Sequence, residues 1–108
     1  EKANNINIPK LVVNEKDELI YMSRKAIPGS KNLNSKIVYF KQVCIYAYNK
    51  KELEKFKKFG RKSKIEEFED IEILRFFDLD TKIKMVRLNK SSQAVDTPND
   101  LKIVNKLF

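Results

Sequence analysis

The stretch IVYFKQVCIYAY, Ile37 to Tyr48, decides how this chain is to be read. It is dense in β-branched and aromatic side chains, and its apolar residues do not alternate cleanly with polar ones. Such a run predicts a strand buried on both faces near the centre of a sheet, interrupted in its middle. Cys44 lies inside the run and is the only cysteine, so no intrachain disulfide can form. Its apolar neighbours mark it as a small buried hydrophobe. On the N-terminal side, Arg24 to Ser35 carries Pro28 and Gly29 and reads as a loop. Before that, LVV and LIYMS flank the turn-like NEKD, which predicts a β-hairpin over Lys10 to Ser23 with Pro9 at the strand entry. The opening EKANNINIPK reads as a loop entering mid-fold.

After Tyr48 the period changes. Asn49 precedes KKELEKFKKF, where Leu53, Phe56 and Phe59 share one helical face and Gly60 is a stop signal. Ser63 with Glu66 three positions on forms a capping box, and the helix it opens is expected to run through Phe77 or Leu79. KIKMVRL, Lys82 to Leu88, reads as a further strand. SSQAVDTPNDL, Ser91 to Leu101, passes from an exposed loop into a last helix over Asp96 to Phe108. Thr97 is its cap, Pro98 its first residue, and Asp100 lies near the positive dipole end. Leu101, Val104 and Leu107, with Ile103 and Phe108, give it an apolar face. The order hairpin, strand, helix, helix, strand, helix predicts an α/β or α+β fold. The 108 residues fit a single domain, 1–108, or a portion of a larger one.

Composition narrows the chemistry mainly by exclusion. Histidine is absent, which removes histidine-based triads and histidine-containing zinc sites from this chain. With only Gly29 and Gly60, neither dinucleotide-binding nor P-loop glycine patterns can be written. No apolar run approaches the ~20 residues that span a bilayer, and no signal peptide is visible at the start given, so a cytoplasmic setting is expected. The 23 Lys plus Arg against 15 Asp plus Glu leave a formal charge of +8. Because glutamates are interspersed with the lysines, solvated helix faces are the preferred reading over nucleic acid or an anionic membrane.

Four places invite a functional reading, each beside a plainer one. KFKKFGRKSK, Lys55 to Lys64, mixes six basic residues with Phe56 and Phe59. It could hold single-stranded nucleic acid by phosphate contact and stacking. The spacing of the phenylalanines favours an amphipathic helix instead. IEEFEDIEILR, Ile65 to Arg75, places Glu66, Glu69 and Glu72 near one stripe, able to meet hydroxyls or a cation; a solvated acidic face is the simpler account. Arg24, at a strand end, could clamp a carboxylate or phosphate through two parallel hydrogen bonds, or be a surface arginine. Asp96 stands just before a helix N-terminus, which favours anions. There a carboxylate could hold a divalent cation that also touches a bound phosphate. An Asx-turn before the helix explains it as well.

Taken in order, YMSR (Tyr21 to Arg24), Ile27-Pro28, KQVCIYAY, IEEFEDIEILR and AVDTPNDL resemble the C-terminal half of the CMP-Kdo synthetases, the 3-deoxy-manno-octulosonate cytidylyltransferases. The resemblance runs from about Leu11 to the end. It implies the C-terminal part of a Rossmann-like nucleotidyltransferase fold, a mixed sheet with a β-hairpin and flanking helices, used for sugar binding and homodimerisation. It implies a transferase of lipopolysaccharide biosynthesis that joins CTP to a 2-keto-3-deoxy sugar acid, giving CMP-sugar and pyrophosphate, with Mg2+ neutralising charge. By the same resemblance Asp96 is the catalytic metal ligand, Arg24 pairs with the sugar carboxylate, and Tyr46 and Glu69 meet sugar hydroxyls, all in one shared cleft. Two positions depart from the family pattern: Gln42 stands where a histidine is usual, and Ile73 where a glutamine is usual. Both concern the sugar pocket. The family's phosphate loop and cytosine pocket are not among these residues. The 108 residues are therefore expected to be a fragment without turnover of its own. The alternative is a small basic RNA-binding or interaction module.

Overall fold

The computed structural model describes residues 2–89 and 93–108. The expected loop at Ser91 and Ser92 thus lies outside the described residues. After a short 3-10 helix, Lys2–Asn4, strands β1 (Lys10–Val13) and β2 (Leu19–Ser23) form the expected hairpin. Lys10 pairs with Ser23, Leu11 with Met22 and Val12 with Tyr21; the register then slips so that Val13 faces Leu19. The turn closes because the Asn14 side-chain oxygen accepts from the backbone N–H groups of Lys16 and Glu18, and Asp17 takes a left-handed conformation (φ 57°). A third strand, β3 (Phe40–Lys41), adds antiparallel to β1, giving the sheet order β2-β1-β3.

The predicted central strand is the main departure. Of Ile37 to Tyr48 only Phe40 and Lys41 join the ladder. Cys44 adopts a left-handed backbone (φ 63°), which a regular ladder does not accommodate, and it is exposed rather than buried. Likewise Lys82 to Leu88 forms no strand. It touches the hairpin through the Glu18–Lys84 bridge, with backbone bonds from Leu19 to Ile83 and from Met85 to Asp17.

The helices follow their local signals. Helix α1 (Lys50–Phe59) is capped by the Asn49 side chain and ends at Gly60 in the left-handed region (φ 68°), where only glycine is free of strain. Helix α2 (Lys64–Glu69) opens with the reciprocal Ser63–Glu66 capping box. The single helix expected beyond it is two elements. Asp70 turns left-handed (φ 52°), Ile71 is extended, and a 3-10 helix, Glu72–Leu79, follows. That break swings Ile71, Ile73, Leu74 and Phe76 onto the hairpin, where they form the core with Leu11, Leu19 and Met22. Helix α3 (Pro98–Leu107) has the predicted Thr97 cap, a Thr97–Asp100 capping box and Pro98 in its first turn. Its apolar residues stay outside the core: Leu101 and Leu107 are 51% and 65% exposed.

One ion pair welds α2 to the 3-10 helix. Arg75 Nε and Nη2 donate to the two oxygens of Glu66 at 2.7 and 2.6 Å, and Glu66 is 2% exposed. The bonds from Arg75 pull the Glu66 carboxyl below its ordinary range, against the opposing effect of burial. The guanidinium also lies 3.9 Å from the centre of the Phe56 ring, tying in α1. Breaking such a pair from one side strands a buried charge, so Glu66→Ala is expected to cost about 3 kcal/mol of unfolding free energy in a denaturant titration. A loss under about 1 kcal/mol would mean the pair is not a structural weld.

Candidate functional site

Two clusters hold the residues singled out by sequence, and they do not merge. The first lies where the end of β2 meets α2. Glu69 leaves α2 toward the hairpin, and its carboxylate accepts from Tyr21 Oη at 3.1 Å, Ser23 Oγ at 2.7 Å and the Arg24 backbone N–H at 2.9 Å. Burial alone would raise the Glu69 carboxyl, but the bonds from Arg24, Ser23 and Tyr21 outweigh it and hold it below its usual range. The same burial, together with Glu69, pushes the Tyr21 phenol up. Arg24 answers in the other direction. Its Nε donates to the Glu69 carbonyl, its Nη1 to Ile6 O at 3.0 Å and its Nη2 to Asp70 O at 2.9 Å. Beneath it Lys10, 1% exposed, donates from Nζ to Asn5 O at 2.8 Å and to Arg24 O.

Glu69, expected to meet a sugar hydroxyl, already accepts from three donors of its own chain, and Arg24, expected to pair with a sugar carboxylate, gives three of its five N–H groups to backbone carbonyls and keeps two. Both act first as fasteners between hairpin and helix.

The second cluster surrounds a cavity of about 840 Å³ between the segment 39–49 and the segment 81–89. Gln42, Tyr46 and Ile73 line it. The two positions that depart from the family pattern therefore share one cavity with the predicted tyrosine. Tyr46 stacks on Tyr48 (centroids 6.0 Å apart), and Tyr48 on Phe76 at 5.2 Å, which fixes both rings against the core. Burial pushes the Tyr46 phenol up, with Cys44, Glu72 and Tyr48 adding to it, so the hydroxyl stays protonated and able to donate. Gln42 gives one N–H to the Cys44 sulfur at 2.8 Å, while its Oε1 is buried without a partner among the described residues. Glu72, exposed and electrostatically felt by both tyrosines, lies outside the cavity lining, whose carboxylates are Asp17 and Glu52. Sequence spacing had placed Glu72 on the acidic stripe but could not tell it from Glu69. The left-handed turn at Asp70 separates the two, sending Glu69 to the hairpin and Glu72 toward Tyr46.

Asp96 belongs to neither cluster. It is exposed, and its backbone N–H donates to Asp100 Oδ2 at 3.2 Å. Neither Asp96 nor Arg24 lines the cavity. Among the described residues none of α3 belongs to the core or packs against it. Nor do three or more His, Cys, Asp or Glu side chains gather as a metal site among them. The chain's geometry alone thus does not carry an enzymatic assignment, which rests on likeness in sequence and fold.

That likeness is extensive. The chain is 36% identical over 112 residues to the 3-deoxy-manno-octulosonate cytidylyltransferase of Bdellovibrio bacteriovorus, covering 100% of this chain and 45% of that protein. It is 34% identical over 104 residues to the protein of the same name from Christiangramia forsetii, covering 96% and 42%. A solved structure of CMP:2-keto-3-deoxy-manno-octonic acid synthetase complexed with CTP superimposes with a TM-score of 0.84 at 32% identity, over 98% of this chain and 43% of that one. The chain belongs with the CMP-Kdo synthetase family. It spans less than half the length of these relatives. No family model matches it. Among the described residues no helix is long and apolar enough to cross a membrane.

The basic segment behaves as an amphipathic helix rather than a stacking platform. Phe56 packs on Phe76 at 5.2 Å, and Phe59 is half-buried with the Arg61 guanidinium 4.4 Å from its ring centre.

Glu69 and Glu66 both ionise more readily in the folded chain than their ordinary value of 4.5. Their stabilising contribution is complete above that pH and fades as pH falls through the lower folded values. Glu69→Gln replaces an acceptor of three donors by a group that is half donor. It is expected to cost about 2 kcal/mol at neutral pH and to flatten the acid limb of stability below pH 4.5. Denaturant titrations from pH 3 to 7 check both. An unchanged acid limb would show that the Glu69 cluster is not a fastener.

Proposed function

We propose that this chain is the C-terminal, sugar-binding and dimerisation portion, residues 1–108, of a cytidylyltransferase. The complete enzyme would convert CTP and a Kdo-like 2-keto-3-deoxy sugar acid to CMP-sugar and pyrophosphate. The observation that carries this reading is the match of nearly the whole chain, in sequence and at a TM-score of 0.84, to proteins of that name and one CTP complex. These relatives are more than twice as long as the segment they share with this chain, and the 108 residues alone are expected to be inactive.

In this reading the cavity beside Tyr46 receives the sugar. The protonated Tyr46 hydroxyl donates to a sugar oxygen, and the buried Gln42 Oε1, lacking a partner, accepts from a sugar hydroxyl or amide. The Glu72 carboxylate, outside the cavity lining but electrostatically felt by Tyr46, accepts from a second hydroxyl. Arg24, outside the lining of this cavity, keeps two N–H groups that the family resemblance assigns to the sugar carboxylate, while its other three hold the loop in place. With Ile73 in the cavity wall, part of the sugar's edge meets an apolar surface. A related ulosonic or amino-sugar acid therefore fits as well as Kdo itself.

Magnesium, when bound, would neutralise charge on the triphosphate as the anomeric hydroxyl attacks the α-phosphorus. Asp96 suits it as one ligand: Mg2+ takes only one or two carboxylates and fills its shell with water and phosphate oxygens. The Asp100 carboxylate is engaged in the α3 cap and is not the second one. That second carboxylate would come from outside these residues.

Three assays test the reading. The purified chain, given CTP, Kdo and Mg2+, is expected to form no CMP-sugar. A chimera joining it to the rest of the Bdellovibrio protein is expected to form it. In that chimera Asp96→Asn should lower kcat about 10²-fold, while Glu72→Gln and Tyr46→Phe should raise KM for the sugar more than they lower kcat. Product from the chain alone, or full activity in the Asp96→Asn chimera, would overturn the corresponding part.

A further inference from the structure

Lys10 opens β1, paired with Ser23 on one side and Lys41 on the other, and it is 1% exposed. A buried ammonium ordinarily faces a carboxylate. This one faces carbonyls: its Nζ donates to Asn5 O at 2.8 Å and to Arg24 O. Arg24 grips the same loop, with Nη1 on Ile6 O at 3.0 Å. Six ion pairs form among the described residues, and neither Lys10 nor Arg24 is in any of them.

The corner between β2 and α2 therefore gathers two cations around one carboxylate. That carboxylate, Glu69, already accepts from Tyr21, Ser23 and the Arg24 backbone. Burial, and after it the nearby Arg24 guanidinium, hold the Lys10 ammonium below its ordinary range, and Glu69 offsets only part of this. Two like charges brought together out of water destabilise a chain unless an anion joins them. Arg24 has the donors for one. Its Nε is engaged on Glu69 O, and one N–H each of Nη1 and Nη2 on Ile6 O and Asp70 O, so each terminal nitrogen keeps one N–H.

We propose that Lys10 is a positioning residue for the carboxylate of a sugar acid. It holds the Arg24 backbone in place and sets a buried positive charge behind the two free N–H groups of that side chain. The corner thereby discriminates a carboxylate from a neutral group of the same shape. Lysine suits the place because its compact ammonium satisfies two carbonyls at once. The exposed lysines of this +8 chain cannot do the same. They attract any anion through water and are screened by salt, whereas a buried charge is screened little. The identity of the ligand rests on the cytidylyltransferase reading; the joint use of Lys10 and Arg24 as an anion site does not.

The chain, isotope-labelled at its lysine and arginine side chains, would be titrated by NMR with Kdo, with Kdo methyl ester and with pyruvate, a 2-keto acid without the sugar. Kdo is expected to move the Lys10 ammonium and Arg24 Nε–H resonances, and the uncharged ester to bind about tenfold more weakly. Lys10→Met should weaken Kdo about tenfold and leave the ester within about twofold, and Lys10→Arg, which restores the charge, should recover part of the preference. A merely structural lysine would weaken both ligands equally. In the chimera, Lys10→Met should raise KM for the sugar acid about tenfold and leave kcat within about threefold. An unchanged preference for acid over ester in a folded Lys10→Met chain would overturn the proposal. If hairpin amide protection shows that the variants do not fold, the unsubstituted chain decides: Lys10 and Arg24 resonances indifferent to both acids, or moved equally by Kdo and its ester, overturn it. A response to pyruvate but not to Kdo, or Kdo binding without product from the chimera, sinks the functional reading and leaves the anion site standing.

Discussion

The Glu69 carboxylate is the joint on which the rest of the structure depends. It takes donors from Tyr21, Ser23 and the Arg24 backbone, so the end of the hairpin and the end of α2 become one rigid corner. Arg24 closes the corner from the opposite side by gripping the carbonyls of Glu69 and Asp70, the residues where the helix breaks. Without that fixed break the 3-10 helix would have no reason to fold back, and Ile71, Ile73, Leu74 and Phe76 would not reach the hairpin. A carboxylate that satisfies three donors in a partly buried place is costly to replace, because each donor is then left without a partner.

From this corner the cavity follows. Phe76 reaches the core and presents a face on which Tyr48 stacks, and Tyr46 stacks on Tyr48 in turn. The position of the Tyr46 ring is therefore a consequence of the packing behind it. The same turn at Asp70 assigns the glutamates their duties: Glu66 to Arg75, Glu69 to the hairpin, Glu72 to the solvent side near Tyr46. Three carboxylates on one apparent stripe end in three different environments.

What the chain lacks is as structured as what it has. The segments that read most strongly as strand from sequence, around Ile45 and Val86, carry exposed apolar side chains, and among the described residues their backbone is unpaired. A sequence rich in β-branched and aromatic residues encodes burial, but burial needs a second surface. Helix α3 makes the same point at the other end. Its capping box is formed from both sides, and Leu101 and Leu107 on its apolar face are still exposed.

By itself, the sequence determined everything that a few neighbouring residues can settle. The hairpin turn at Asn14–Asp17, the caps at Asn49, Ser63 and Thr97, and the stop at Gly60 are interactions within a handful of positions. The motif order was enough to place the chain in its family. Tertiary structure alone decided that Glu69 and Arg24 join the hairpin to α2 and that Cys44 is exposed. The joint between hairpin and α2 depends on contacts across 45 or more residues, such as Arg24 to Glu69. No local periodicity can specify which of several chemically equivalent side chains a distant donor will find.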